Sequence, residues 1–131
     1  MVLNKEQLTA LDQKLTLELR RGMLTLAVLG ALRSPSYGYA LKQRLAGRHL
    51  EIDQGTLYPL LRRLEADGLL TSEWIVDGSR PRKYYRLSPD GEKTLKALRA
   101  KWKSLVGVVE ALLDETTQGT ADDEETQGET K

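Results

Sequence analysis

The sequence predicts a mainly α fold carrying one small β-hairpin, on three observations. Leucines recur at helical spacing from Leu8 to Leu64 and again from Leu95 to Leu112. Only one stretch, Leu70 to Leu87, pairs two runs of β-branched and aromatic residues around turn chemistry, Asp77-Gly78-Ser79-Arg80-Pro81. Finally, 131 residues of 40% apolar content support one compact domain plus one long extra helix, not two full cores.

Taken in order, Asn4 and Gln7 form a capping pair ahead of an amphipathic helix over about 5–19, whose stripe is Leu8, Leu11 and Leu15. The run from Gly22 to Leu32 is apolar nearly all round and stops at Ser34-Pro35, which predicts a buried central helix. A third helix starts at Ser36, carries Tyr37, Tyr39, Ala40, Leu41 and Leu45, and ends near Gly47, with Lys42, Arg44 and Arg48 on its polar side. Leu50 and Ile52 alternate with charged residues, a pattern that suits a very short strand. Asp53 is the expected N-cap of a fourth helix with Leu57, Leu60 or Leu61, and Leu64 facing the core, Gly68 as C-cap and a local kink at Pro59.

The hairpin strands are read as Leu70–Val76 and Arg82–Leu87, with Trp74 structural within the first. Ser88-Pro89 then supplies the N-cap and first-turn proline of a last helix. Along it Leu95, Leu98, Trp102, Leu105, Val109 and Leu112 form an a/d seam of about two and a half heptads. The domain reading is therefore an N-terminal helix over 1–19, a helical domain closed by the hairpin over 20–88, a dimerisation helix over 89–113 and a disordered acidic tail over 114–131.

Charge is segregated along the chain. Asp114, Glu115, Asp122, Asp123, Glu124, Glu125 and Glu129 stand against Lys131, so the tail carries a net −6, while 19 bases and 12 acids give residues 1–113 a net +7. A basic body suits a surface that meets phosphates. Zero Cys removes thiolate metal sites and Cys nucleophiles, and His49 stands alone without partners for a metal site or a triad. With no glycine-rich phosphate loop either, the residues predict neither an enzyme nor a cofactor. No apolar run approaches the ~20 residues of a membrane span, so the expectation is a soluble, cytoplasmic protein that does not engage membranes.

Helix, helix, short strand, helix, hairpin, helix is the order of a winged helix-turn-helix, in which the helix before the hairpin enters the major groove and the hairpin tip lies along the backbone or minor groove. On that recognition helix, Gln54, Thr56, Tyr58, Arg62 and Arg63 lie opposite the leucine stripe and match adenine, guanine, thymine-methyl and phosphate partners. In the hairpin, Arg80, Arg82 and Lys83 place three cations within four positions, and Pro81 stiffens the tip. Each feature has a plainer reading, a solvated helix face or a charged sheet edge, but the two adjoin. The a/d seam and the unpaired stripe of the first helix, Leu8, Leu11 and Leu15, are both buried at once by a twofold dimer, which also sets two recognition helices on two half-sites.

The blocks MLTLAVLGAL, YGYAL, GTLYPLLRRLEADGLL and SRPRKYYRLSPDG, in that order over residues 20–92, resemble the PadR family of bacterial transcription regulators, in the smaller form with a single C-terminal helix. That resemblance implies a homodimeric repressor that binds palindromic promoter sites and releases them on binding an effector. It also implies backbone contacts from Tyr37 and Tyr39, which the residues alone read equally well as core; Lys42, on the polar side of the same helix, is a further candidate DNA contact. Trp102, by residue type an interface anchor, is implied to line an intersubunit cavity with Val106 and Val109 that stacks on flat aromatic compounds. From other classes, a winged-helix protein-interaction module or a ligand sensor with little DNA affinity stays open.

Overall fold

The computed structural model describes residues 2–129, without the side chains of Asp77 and of 116–129. Its elements are α1 (Lys5–Ala31), β1 (Ser36–Tyr37), α2 (Gly38–Gly47), α3 (Gln54–Ala66), β2 (Leu70–Asp77), β3 (Arg80–Leu87) and α4 (Pro89–Glu129). Four helices and a three-stranded antiparallel sheet of order β1-β3-β2 make the winged helix-turn-helix expected from the sequence. Residues up to Leu95 form one compact unit, and residues from Lys96 form a second.

The expected break between the first two helices does not occur: α1 runs unbroken for 27 residues. Only Arg20, Arg21 and Gly22 separate the two leucine stripes, and two good helix formers plus one glycine costing about 1 kcal/mol do not stop a propagating helix. Its start is the expected capping box, with the Gln7 N–H donating to Asn4 Oδ1 at 2.8 Å and the Asn4 N–H donating to Gln7 Oε1 at 3.0 Å. Burial begins only in the second half, at Leu24, Val28 and Leu29, and continues with Leu32. Leu8, Leu11 and Leu15 stay exposed.

Ser36 and Tyr37, assigned to a helix by sequence, instead form β1 and pair with Tyr85 and Tyr84 of β3. The pre-proline geometry and the arrest at Ser34-Pro35 leave the chain extended, and a free edge of β3 is beside it. Conversely, Leu50 and Ile52 form no strand. The cause lies in how α2 ends. His49, at φ 65°, takes the left-handed position that the sequence suggested for Gly47, and the His49 and Leu50 N–H groups donate to Ala46 and Leu45 carbonyls at 3.0 and 2.9 Å. This Schellman closure consumes the backbone that a strand would need. The same closure ends α3, where Gly68 at φ 83° fills the left-handed position just past the Asp67 C-cap.

Through Pro59 α3 continues uninterrupted, and Leu57, Leu60, Leu61 and Leu64 are all buried, so both of the alternatives left open at 60 and 61 face the core. Asp53 holds the N-cap position, but its Oδ1 accepts from the Thr56 hydroxyl at 2.7 Å and not from a backbone N–H. The hairpin is tighter than expected, with Asp77 opposite Arg80 and only Gly78-Ser79 between them. Gly78 adopts φ 71°, as such two-residue turns require. One pair further in, Pro81 faces Val76, where antiparallel geometry points the backbone nitrogens outward, so the missing donor breaks no ladder bond.

At the hairpin base, Ser88 ties three segments. Its hydroxyl donates to the Gly68 carbonyl at 2.7 Å and accepts from the Gly91 N–H at 2.9 Å, while its own N–H donates to Leu69 at 3.0 Å. Gly91 is buried against this knot, and a Cβ there would stand 2.1 Å from the Leu69 carbonyl oxygen. Further along, the helical backbone of α4 runs to Glu129, so the boundary expected at 113/114 is no break in the backbone, and the side chains on which most of the acidic tail depends lie outside the described residues. Among the described residues no helix is long and apolar enough to cross a membrane.

Two substitutions of opposite sign follow. Gly91→Ala loses about 3 kcal/mol through overpacking against backbone that cannot yield, whereas His49→Gly gains about 1 kcal/mol by relieving a left-handed non-glycine residue. Urea unfolding of the two variants against the wild type measures both.

Candidate nucleic-acid interface

The recognition helix presents a narrow polar strip because its leucines take the other side. Tyr58 and Arg62, one turn apart, project toward the hairpin and line a groove of about 640 Å³ between α3 and the wing. Tyr37, Gly38 and Tyr39, at the β1–α2 junction, form its floor, and Trp74 and Arg80 to Lys83 form the far wall. The groove thus gathers seven of the eleven residues the sequence proposed for DNA contact: Tyr37, Tyr39, Tyr58, Arg62, Arg80, Arg82 and Lys83. Among its described lining residues none is acidic.

The aromatic floor is ordered by specific contacts. Arg82 lies with its guanidinium 4.4 Å from the Tyr37 ring centroid, and Tyr37 meets Tyr84 edge-on at 5.3 Å. Tyr58 rests on the first turn of α2, where a Cβ on Gly38 would come within 2.6 Å of its ring, so the glycine of the YGY sequence is what lets α3 approach. Tyr37 and Tyr58 are accordingly half-buried, joining core and groove, while Tyr39 is 54% exposed.

Four proposed contact residues fall elsewhere. Thr56 and Arg63 sit more than a third of a turn round α3 from Tyr58 and Arg62 and line a second groove of about 490 Å³ with Leu17, Arg20 and Arg21 of α1. Gln54 is exposed at the first turn of α3, and Lys42 is half-buried on α2. Lys83 is paired across to α3: its Nζ donates to Glu65 Oε1 at 3.0 Å. The other carboxylate oxygen, Glu65 Oε2, accepts from the Ser72 hydroxyl. One carboxylate of α3 therefore clasps both wing strands, one through Ser72 and the other through Lys83.

This clasp perturbs both charges. The Ser72 hydroxyl and then the Lys83 ammonium hold the Glu65 carboxyl below its ordinary 4.5, and the hydrogen bond that Lys83 donates to Glu65 raises its ammonium above 10.5 against the opposing cost of burial. Trp74 is the groove residue that sequence reading missed. Treated as structural, it is 68% exposed. Its period-2 relation to Leu70 and Ser72 gave the signal, since that face turns toward α3, but α3 covers only the base of the hairpin.

The family model described as transcriptional regulator PadR-like matches residues 26–97, more than half of the chain and all of the groove between α3 and the wing. The chain belongs to the PadR family. A PadR family transcriptional regulator from Eggerthella lenta DSM 2243 is similar in structure with a TM-score of 0.76 and 48% identity, over 80% of this chain and 94% of that one. A PadR-like transcription factor from Bacteroides fragilis superposes with a TM-score of 0.65 at 39% identity, over 76% of this chain and 98% of that one. A transcriptional regulator of Mycobacterium tuberculosis is 42% identical over 79 residues, which are 60% of this chain and 74% of the relative. This PadR-family chain is thus a transcriptional regulator, and its family is one of regulators, not of enzymes.

The clasp sets a pH dependence. A carboxyl whose folded value is depressed contributes stability above about 4.5 that is lost as pH falls through the lowered value; an ammonium whose folded value is raised contributes below 10.5 and loses it as pH rises through the raised value. The Ser72 and Lys83 amide shifts are expected to stay flat from mid-acid to mid-alkaline pH and to move together below 4.5. In Glu65→Gln the acid step disappears, with a stability loss under about 1 kcal/mol because the pair is solvent-accessible. An unchanged acid step in that variant contradicts the clasp.

Proposed function

We propose that this PadR-family regulator binds a palindromic operator in double-stranded DNA as a homodimer, represses the promoter there, and releases it on binding a flat aromatic effector. The observation that carries the DNA half of the reading is the groove between α3 and the wing, which offers Arg62, Arg80 and Arg82 among tyrosines and has no described acid in its lining. Such a surface suits phosphate and disfavours an acidic protein partner less than an apolar one, while the width of an α-helix suits the major groove. The N-terminus of α2 lies on the floor of that groove with no side-chain cap, leaving first-turn N–H groups for a phosphate. In this reading Tyr58 and Arg62 contact bases or phosphates from α3, Tyr37 and Tyr39 the backbone, and Gln54, Thr56, Arg63 and Lys42 make contacts beyond the groove.

Support for a dimer comes from apolar side chains left uncovered within one chain. Leu8, Leu11 and Leu15 on α1, and Trp102, Leu105, Val109 and Leu112 on α4, are each more than 40% exposed, and Leu95 and Leu98 continue the same seam. Exposed large apolar residues at helical spacing, three on α1 and four on α4, are what a second copy of the chain would cover on each helix. Trp102, with Val106 one turn on and Val109 two, would supply the aromatic wall that an intersubunit effector pocket needs. Repression is what the family resemblance implies, and a dimer seated on promoter DNA would exclude polymerase without an activating surface.

Fluorescence anisotropy with a labelled duplex of the gene's own upstream region tests the DNA reading. Binding is expected to survive unrelated competitor DNA and to fall steeply with salt, and Arg62→Ala to weaken it by about tenfold; loss of all binding to competitor would favour a protein-interaction module. For assembly and release, sedimentation velocity over a broad concentration range is expected to show a dimer, and aromatic compounds to release DNA from the wild type but not from Trp102→Ala. A monomer throughout, or release that persists without Trp102, contradicts this half.

A further inference from the structure

Trp74 is far more exposed than the other residues on its face of the wing. Its side chain shares a wing face with Leu70, which is buried, and with Ser72, which is bonded to α3, yet Trp74 is 68% exposed and Val76 beyond it 73%. Cross-strand register sets Lys83 opposite Trp74 and Pro81 opposite Val76, so Trp74, Val76 and Pro81 make an apolar strip along the inner face of the wing. Directly across the groove stand Tyr58 and Arg62 of α3, and Arg80 closes the tip end. Apolar and cationic groups alternate here without a described acid.

A DNA strand has the same alternation, apolar deoxyribose between anionic phosphates. When a helix lies in the major groove, a bounding sugar–phosphate strand passes through the space between that helix and the wing. We propose that Trp74 is a DNA-contact residue whose indole lies against the deoxyribose rings of that strand, with Arg62 and Arg80 on the flanking phosphates. The proposal rests on the DNA-binding reading above and adds to it an apolar contact from the wing. Lys83, held by Glu65, fixes the strand pair that carries Trp74 and is thereby a positioning residue. An indole against sugars contributes affinity without releasing counterions, which separates it from every arginine in the groove.

The test uses the full chain and a fluorescein-labelled duplex of its own upstream region, over a range of salt, for the wild type, Trp74→Ala, Trp74→Phe and Arg80→Ala. Trp74→Ala is expected to bind about tenfold more weakly with an unchanged slope of log affinity against log salt, and Trp74→Phe to recover most of the loss. Arg80→Ala should instead lower the slope by about one. In the wild type labelled with 5-fluorotryptophan, the ¹⁹F resonance assigned to Trp74 by its absence in Trp74→Phe should shift on saturation with duplex. Wild-type binding with an unaffected Trp74→Ala and an unmoved resonance overturns this proposal alone. Absence of duplex binding by the wild type overturns it together with the DNA reading, and a resonance that responds to aromatic compounds but not to duplex makes the groove a small-molecule site and overturns it as well.

Discussion

Burial of Leu57, Leu60, Leu61 and Leu64, none more than 7% exposed, sets the rotation of α3 and with it everything the groove contains. At about 2 kcal/mol each, these side chains contribute on the order of the net stability of a small domain. An exposed ion pair contributes about 1 kcal/mol at most, so charges on α3 adapt to the leucines and not the reverse. Turning the helix by one residue, about 100°, would bury Arg62 and expose a leucine. The side chains that face the wing are therefore chosen by the core beneath them.

The wing depends on that same helix through two attachments of different kinds. Glu65 reaches from α3 to Ser72 and Lys83, one on each strand. At the base, the Ser88 knot with Gly68, Leu69 and Gly91 binds the end of α3, the end of β3 and the start of α4 within one turn of backbone. Both attachments hold the inner half of the hairpin. Beyond the reach of α3 the outer half, with Trp74, Val76 and the Gly78-Ser79 turn, is held by the pairing of β2 with β3 and by Arg82 packed on the Tyr37 ring.

Much of this was legible in the residues because local and tertiary demands agree. The Asn4–Gln7 capping box, the leucine stripe of α3, the left-handed Gly68 and the Ser88-Pro89 start of α4 each carry chemistry that acts within a few positions of itself. What was not legible depends on distant partners. Ser36 and Tyr37 become a strand because β3 offers an edge almost fifty residues later, and His49 takes a backbone conformation that residue type argues against. Lys83 reads as a free cation until Glu65, 18 positions earlier, is seen to hold it. Arg62 and Arg63 look equivalent in sequence, but a helix turns adjacent residues apart, and only Arg62 meets the wing. Trp74 was misread for a related reason: the alternation of a strand tells which face a residue shares, not how far along that face a helix extends.

The central claim is that the cleft joining α3 to the wing is where this PadR-family regulator meets duplex DNA. Amide hydrogen exchange of the full chain, free and saturated with a duplex of its own upstream region, addresses it most directly. The account predicts new protection at 37–39, through α3 and along 74–83, with the α2 C-terminus around His49 unchanged. Protection confined to α1 or α4 while the duplex is demonstrably bound would contradict it, since the leucine stripe of α3 would then orient a surface that DNA does not use.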